Sequence, residues 1–181
     1  MGKMKLFKYA LSILFCNAFR FLRFIPNNDP IMACMLPFAK QDKWWQGALF
    51  AFMTMVSFDF ITMKVGLWTA VTALTYAGLG IMFHFVYKKQ AGKVKLRHYI
   101  GSGIAGVLIF DFVTGVLFGP AMFGMSFAQA AIGQIPFTVM HLLTATFFII
   151  LLTPLLDRAI VSNPSLEDSA VFNRIKLWAR A

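Results

Sequence analysis

The chain has 181 residues, 59% of them hydrophobic and 13% charged, with a net charge of +10 and a mean hydropathy of +0.71. Soluble domains carry about 25% charged residues, so a water-soluble globular fold is excluded. The positive excess is not a nucleic-acid footprint, because the cations gather at helix ends rather than on one face, as in loops that meet anionic lipid. The long continuous apolar runs do not alternate as barrel strands do. They leave an all-α, multi-pass membrane bundle of about five to seven spans in one domain. Cys16 and Cys34 lie among apolar residues with no CxxC and no His nearby, which points to no metal site and defines no disulfide.

Lys3, Lys5 and Lys8 precede an apolar stretch from Tyr9 to Phe19. The pattern suits a signal peptide with a cleavage site at Cys16-Asn17-Ala18, but Asn17 and Phe19-Arg20 suit an uncleaved anchor as well. Residues 6–25 are read as the first span, with Arg20 and Arg23 near its far end. Ile25 to Pro30 is a turn in which Asp29 can cap a helix starting at Pro30, where a missing N–H does no harm. That helix, 30–40 with Pro37 inside, is short for a span and is either crossing or re-entrant. Trp44-Trp45 opens the third helix, 44–62, at a membrane interface. Lys64-Val65-Gly66 turns the chain into the fourth, 67–87, where Thr69, Ala73, Ala77 and Gly66, Ala70, Gly80 form small faces for close packing, with His84 near its other end. His84 and His98 are expected at the interface. Residues 88–97 form a loop with five cations in ten residues, followed by the fifth helix, 98–118. Gly119-Pro120 and Gly124 mark a loop without charge, followed by a short lead-in segment and a sixth span at about 135–156. In the tail, Ser165 and Asp168 have capping-box spacing, and Leu166, Phe172, Ile175 and Trp178 can form one face of a surface helix. The expected division is a transmembrane unit, 1–158, and an amphipathic tail, 159–181.

With six spans, all of the 17 Lys and Arg except Arg20, Arg23 and Lys64 fall on one side, which the positive-inside rule makes cytoplasmic together with both termini. If the short helix does not cross, only the N-terminus and Arg20/Arg23 change sides.

Phe58-Asp59-Phe60-Ile61-Thr62 returns 52 residues later as Phe110-Asp111-Phe112-Val113-Thr114, each copy in an apolar run. A charge at the centre of a membrane helix costs about 2.5–3.5 kcal/mol on insertion scales, so Asp59 and Asp111 require a cavity, a partner or the membrane surface. In the six-span arrangement Arg20, Arg23, Asn27, Asn28, Asp29, Asp59, Thr62, Trp68, Asp111, Thr114 and His141 gather towards the outer half within an aromatic shell, as a buried small-molecule site requires. Asp59 and Asp111 would accept hydrogen bonds from the ligand, Asn27, Asn28 and His141 would complete the polar set, and Trp68 and Phe112 would stack. The bland readings are that Asp29 is only a cap, Asp59 sits among headgroups, and Asp111 and His141 form a buried pair without a ligand.

The stretch Arg20-Phe-Leu-Arg-Phe-Ile-Pro-Asn-Asn-Asp-Pro-Ile-Met-Ala, the following Val-Ser-Phe-Asp-Phe, and 105–157 from Ile-Phe-Asp-Phe-Val-Thr-Gly through Gly-Gln-Ile-Pro-Phe-Thr-Val-Met-His to Leu-Leu-Asp resemble substrate-binding S-components of energy-coupling-factor transporters. The resemblance implies a membrane subunit that captures a vitamin-like micronutrient at the outer face. It also implies partners, a transmembrane T-component and two ATP-binding-cassette ATPases, that drive uptake. Where the family often carries an Ala-x-x-x-Ala pair in its first helix, this chain has Ala10, Leu14 and Ala18. No GxxxxGK[ST] is present, so energy must come from a partner, and no cofactor is expected. Two rival readings are a non-transporting scaffold recruiting partners through the tail, and an intramembrane aspartyl hydrolase using Asp59 and Asp111 as a proton-sharing dyad.

Overall fold

Apolar runs separated by Gly, Pro and short charged turns fold as helices from end to end. The computed structural model describes residues 6–22, 29–90 and 94–178, and no strand occurs among them. The helices are α1 (Leu6–Leu22), α2 (Ile31–Ala39), α3 (Gln46–Ile61), α4 (Leu67–Lys88), α5 (Leu96–Asp111), α6 (Gly119–Phe123), α7 (Phe127–Leu156) and α8 (Asp168–Trp178). A π-helical stretch, Phe112–Phe118, joins α5 to α6, and another, Asp157–Val161, prolongs α7. Three continuous helical runs are long and apolar enough to cross a membrane: Leu67–Lys88, Leu96–Phe123 and Phe127–Val161. The apolar α3 is shorter. The chain thus carries the helices of a membrane protein.

The second helix is the centre of the core. All nine residues of α2 are buried, and α3, α4, α5 and α7 pack around it. At 1.5 Å per residue it is only about 13 Å long, less than half of the roughly 30 Å hydrocarbon thickness. Pro37 lacks the N–H that would bond to Ala33 O one turn earlier. The Thr153 hydroxyl of α7 donates to that carbonyl instead, at 2.8 Å, which is how neighbouring helices satisfy a backbone that proline has interrupted. Thr153→Val keeps the shape and removes the donor. It should cost about 1–3 kcal/mol, seen as a lower unfolding temperature in nanodiscs; an unchanged temperature would mean that Ala33 O needs no donor.

At the end of α2 opposite Asp29, Lys40 Nζ lies 2.5 Å from Asp157 Oδ2, and Tyr99 OH donates to the same oxygen at 3.1 Å. Buried Lys8 donates to Val161 O at 2.8 Å. The start of α1, the end of α2, the start of α5 and the end of α7 therefore share one end of the bundle, with Lys95 and Arg97 at the start of α5. His84, expected at the interface, is buried in α4 with Nδ1 3.2 Å from Ala39 O. Cys16 and Cys34 are buried free thiols.

Three elements differ from the sequence reading. The fifth helical run does not stop at Gly119-Pro120 but continues to Phe123. Pro120 falls in the first turn of α6, where its absent N–H is harmless, and the chain turns at Gly124, whose φ of +65° suits glycine. The lead-in segment and the sixth span are a single helix, α7. Ser126 Oγ accepts from Gln129 N at 3.2 Å and Gln129 Oε1 accepts from Ser126 N at 2.9 Å, a full capping box. Ser165 and Asp168 do not cap their own helix together. Asn163 Oδ1 takes Ser165 N, and Asp168 accepts from Leu6 N at 3.0 Å and Phe7 N at 2.9 Å. The open N–H groups at the start of α1 attract a carboxylate, and this ties the tail to α1. Phe172, Ile175 and Trp178 of α8 are exposed.

Candidate functional site: a cavity above the short helix

Because α2 is short, the other end of the bundle is hollow. A cavity of about 770 Å³ opens there, with Arg20 of α1, Asp29, Met55 of α3, Trp68 and Thr72 of α4, Phe110 of α5 and Thr114 of the π-helical stretch among its walls. Phe123, Gln129, Gln134 and Phe137 close it from α6 and α7. Its deep end is near Asp29, whose Oδ2 accepts from Tyr76 OH at 3.4 Å. Tyr76 lies about 14 Å along α4 from its start, so the cavity reaches well into the bundle.

Asp29 does cap α2, its Oδ1 accepting from Ile31 N at 3.0 Å, and it does more. The Arg20 guanidinium lies 3.9 Å from Asp29 Oδ1 and 3.9 Å from the centre of the Phe58 ring. A carboxylate and an aromatic face thus offset the cost of placing a cation among apolar side chains. Arg20 Nη1 is nevertheless buried with no hydrogen-bond partner among the described residues.

The π-helical stretch shapes the opposite wall. Its Thr114 hydroxyl donates to Phe110 O at 2.8 Å, and both residues line the cavity. The side-chain amide of Gln134 lies directly on Gly115, in the space where any Cβ would stand. Glycine at 115 is thus what lets a polar amide from α7 reach this wall. π-Helical insertions frequently mark functional sites.

Behind the wall, His141 Nδ1 and Asp111 Oδ1 are joined by a hydrogen bond of 2.8 Å. They are only 3% and 1% exposed. Their other polar atoms, His141 Nε2 and Asp111 Oδ2, have no hydrogen-bond partner among the described residues. The His141 ring meets Phe110 and Phe137 edge-on, with centroids at 6.0 and 5.9 Å, and those two rings are cavity walls.

Of the residues singled out in the sequence, Arg20, Asp29, Trp68 and Thr114 line the cavity. Asp111 and His141 pair beneath its wall. Asn27 and Asn28 lie outside the described residues. Asp59 is not a wall residue. It accepts from Thr69 Oγ1 at 2.6 Å, and Thr69 Oγ1 in turn accepts from Gly66 N at 3.1 Å, so this carboxylate anchors the start of α4, where an anion is favourable. Phe112 is 51% exposed and is not a wall either; the ring beside Trp68 is Phe123, at 5.6 Å. The two copies of the repeat share one detail, since Thr62 and Thr114 both donate to the carbonyl four residues earlier, at 2.9 and 2.8 Å. Their aspartates have diverged in role because one copy ends a helix and the other opens a π-helical stretch.

Thr72, Gln129 and Gln134 were not singled out in the sequence. Thr72 lies one helical turn beyond Trp68 on the same face. Gln129 and Gln134 are the two amide side chains between Asp111 and Asp157, the kind of residue that marks a site within a membrane helix. Compared with protein-family models, curated sequences and solved structures, the chain matches none.

Proposed function

We propose that this protein is a membrane subunit that captures a small molecule from outside, the S-component of an energy-coupling-factor uptake system. The cavity carries the reading. Its volume of about 770 Å³ lies within the roughly 300–1,000 Å³ of small-molecule sites, and few polar groups set among aromatic walls are what such sites use to orient a ligand. In this reading the chain crosses the bilayer six times, with α2 as the incomplete crossing that leaves room for the ligand. Both termini and the 88–97 loop are cytoplasmic, following the positive charge, and the cavity faces outwards. A T-component and two ATP-binding-cassette ATPases supply the energy. The hydrolase reading has less support, because Asp59 is committed to Thr69 and Asp111 to His141, with no hydrogen bond between the two carboxylates among the described residues. The scaffold reading is favoured only by the exposed Phe172, Ile175 and Trp178 of α8.

Gentle purification from native membrane, followed by mass spectrometry of bound proteins and released metabolites, tests the proposal. Co-purifying ATP-binding-cassette ATPases and one enriched metabolite are expected. A preparation with neither would overturn it, and a stable complex lost on removing residues 165–180 would favour the scaffold.

A further inference from the structure

The polar groups of the cavity are unequal in what they have left to give. Thr72 Oγ1 donates to Trp68 O at 2.9 Å and Thr114 Oγ1 to Phe110 O, so these hydroxyls offer only lone pairs. Both oxygens of Asp29 already accept, from Ile31 N and Tyr76 OH. Gln129 accepts through Oε1 from Ser126 N and keeps its two amide N–H groups. Arg20 is the charged donor of the set. A guanidinium has five N–H donors and no acceptor. The distance of 3.9 Å to Asp29 is a charge contact rather than a hydrogen bond, Nη1 has no partner among the described residues, and the side chain, 11% exposed, borders the cavity.

An unsatisfied buried donor costs more than a made bond returns, so the site is built for a ligand that brings an acceptor. A planar carboxylate is the acceptor that a guanidinium matches best. Trp68, Phe110, Phe123 and Phe137 add four aromatic rings to the lining. We infer that the ligand is a small organic acid, a single carboxylate held by Arg20 with an apolar or aromatic body lying between those rings. Asp29 keeps Arg20 in place without saturating it, and it disfavours a second negative charge.

The inference rests on the cavity being a ligand site, and the test separates the two. The full chain in nanodiscs is titrated, by calorimetry and by shift of unfolding temperature, with matched sets of probes. Indole, phenyl, naphthyl and linear alkyl bodies each carry a propionate, its primary amide, or the α-amino acid. Binding of a propionate about ten- to a hundredfold tighter than its amide, the worth of hydrogen bonds to a charged group, is expected. Arg20→Gln should abolish that preference, the acids losing far more affinity than the amides, while Arg20→Lys keeps part of it. Amides binding as tightly as the acids in the wild-type protein would overturn the carboxylate and leave the binding site standing. A preference for the amino acids would place an ammonium on Asp29 and overturn the singly charged class. No binding by any probe would overturn both readings.

Discussion

Replacing Gly80 with alanine is expected to loosen the α3–α4 pair by about 2–3 kcal/mol. A Cβ at this position would stand 2.5 Å from Ala48 N, 2.6 Å from Gly47 C and 2.9 Å from Ala48 Cα. All three are backbone atoms of α3, so no side chain can swing aside and the helices must part. The contact continues inwards, since a Cβ on Gly47 would lie 2.9 Å from both Cα and Cβ of Ala39 at the end of α2. Gly80, Gly47 and Ala39 therefore stack three helices at backbone distance, the arrangement membrane helices use where apolar lipid supplies no drive for association. Gly78→Ala is the control on the same helix. A Cβ there meets nothing within 4 Å, and the better helix former should gain up to about 1 kcal/mol. Unfolding temperatures in nanodiscs should move in opposite directions. Equal shifts would show that the close approach is not limiting. Because α3 and α4 carry Met55, Trp68 and Thr72, Gly80→Ala should also weaken binding of any ligand in the cavity.

Much of this architecture was legible because hydrophobicity and helix punctuation are local. The positions of α1 to α4 follow from the Lys-rich start, Asp29-Pro30, Trp44-Trp45 and Gly66. The run from 112 to 134 was misjudged for a local reason as well. Gly119-Pro120 reads as a stop, yet proline is accepted in a first turn, and Ser126-Phe-Ala-Gln129 carries capping-box spacing that marks the start of α7. Neither the π-helical stretch nor the cavity has such a signal. The cavity exists because a nine-residue helix stands among longer ones, and that is a property of packing. Asp59 and Asp111 look identical in sequence and differ only in their neighbours, Thr69 ten residues on and His141 thirty residues on. The Arg20–Asp29 contact needs two helix ends to meet, so the sequence set both residues in the outer cluster but could not show that they pair in a cavity wall.

The largest effect is expected at Asp111 and His141. Replacing either one with leucine leaves the other polar group buried at 1–3% exposure without its 2.8 Å partner. Removing one member of a buried polar pair costs about 3 kcal/mol or more. The double variant, Asp111→Leu with His141→Leu, removes the need for pairing. It should be far more stable than the sum of the singles implies and close to the wild type in unfolding temperature, with a coupling at or above the roughly 3 kcal/mol upper end for neighbouring residues. Stability alone does not account for the pair, because an apolar substitute of similar volume is often as good or better, and Asp111 Oδ2 and His141 Nε2 have no partner among the described residues. What the pair does is fix geometry. It joins the end of α5 to α7 where the π-helical stretch begins, and it sets the His141 ring edge-on against Phe110 and Phe137 at the back of the cavity. The double variant should therefore recover its unfolding temperature yet bind a carboxylate probe more weakly than the wild type. Additive losses of stability would show that the two side chains do not act as a unit. Wild-type affinity in the double variant would reduce the pair to packing and remove it from the site.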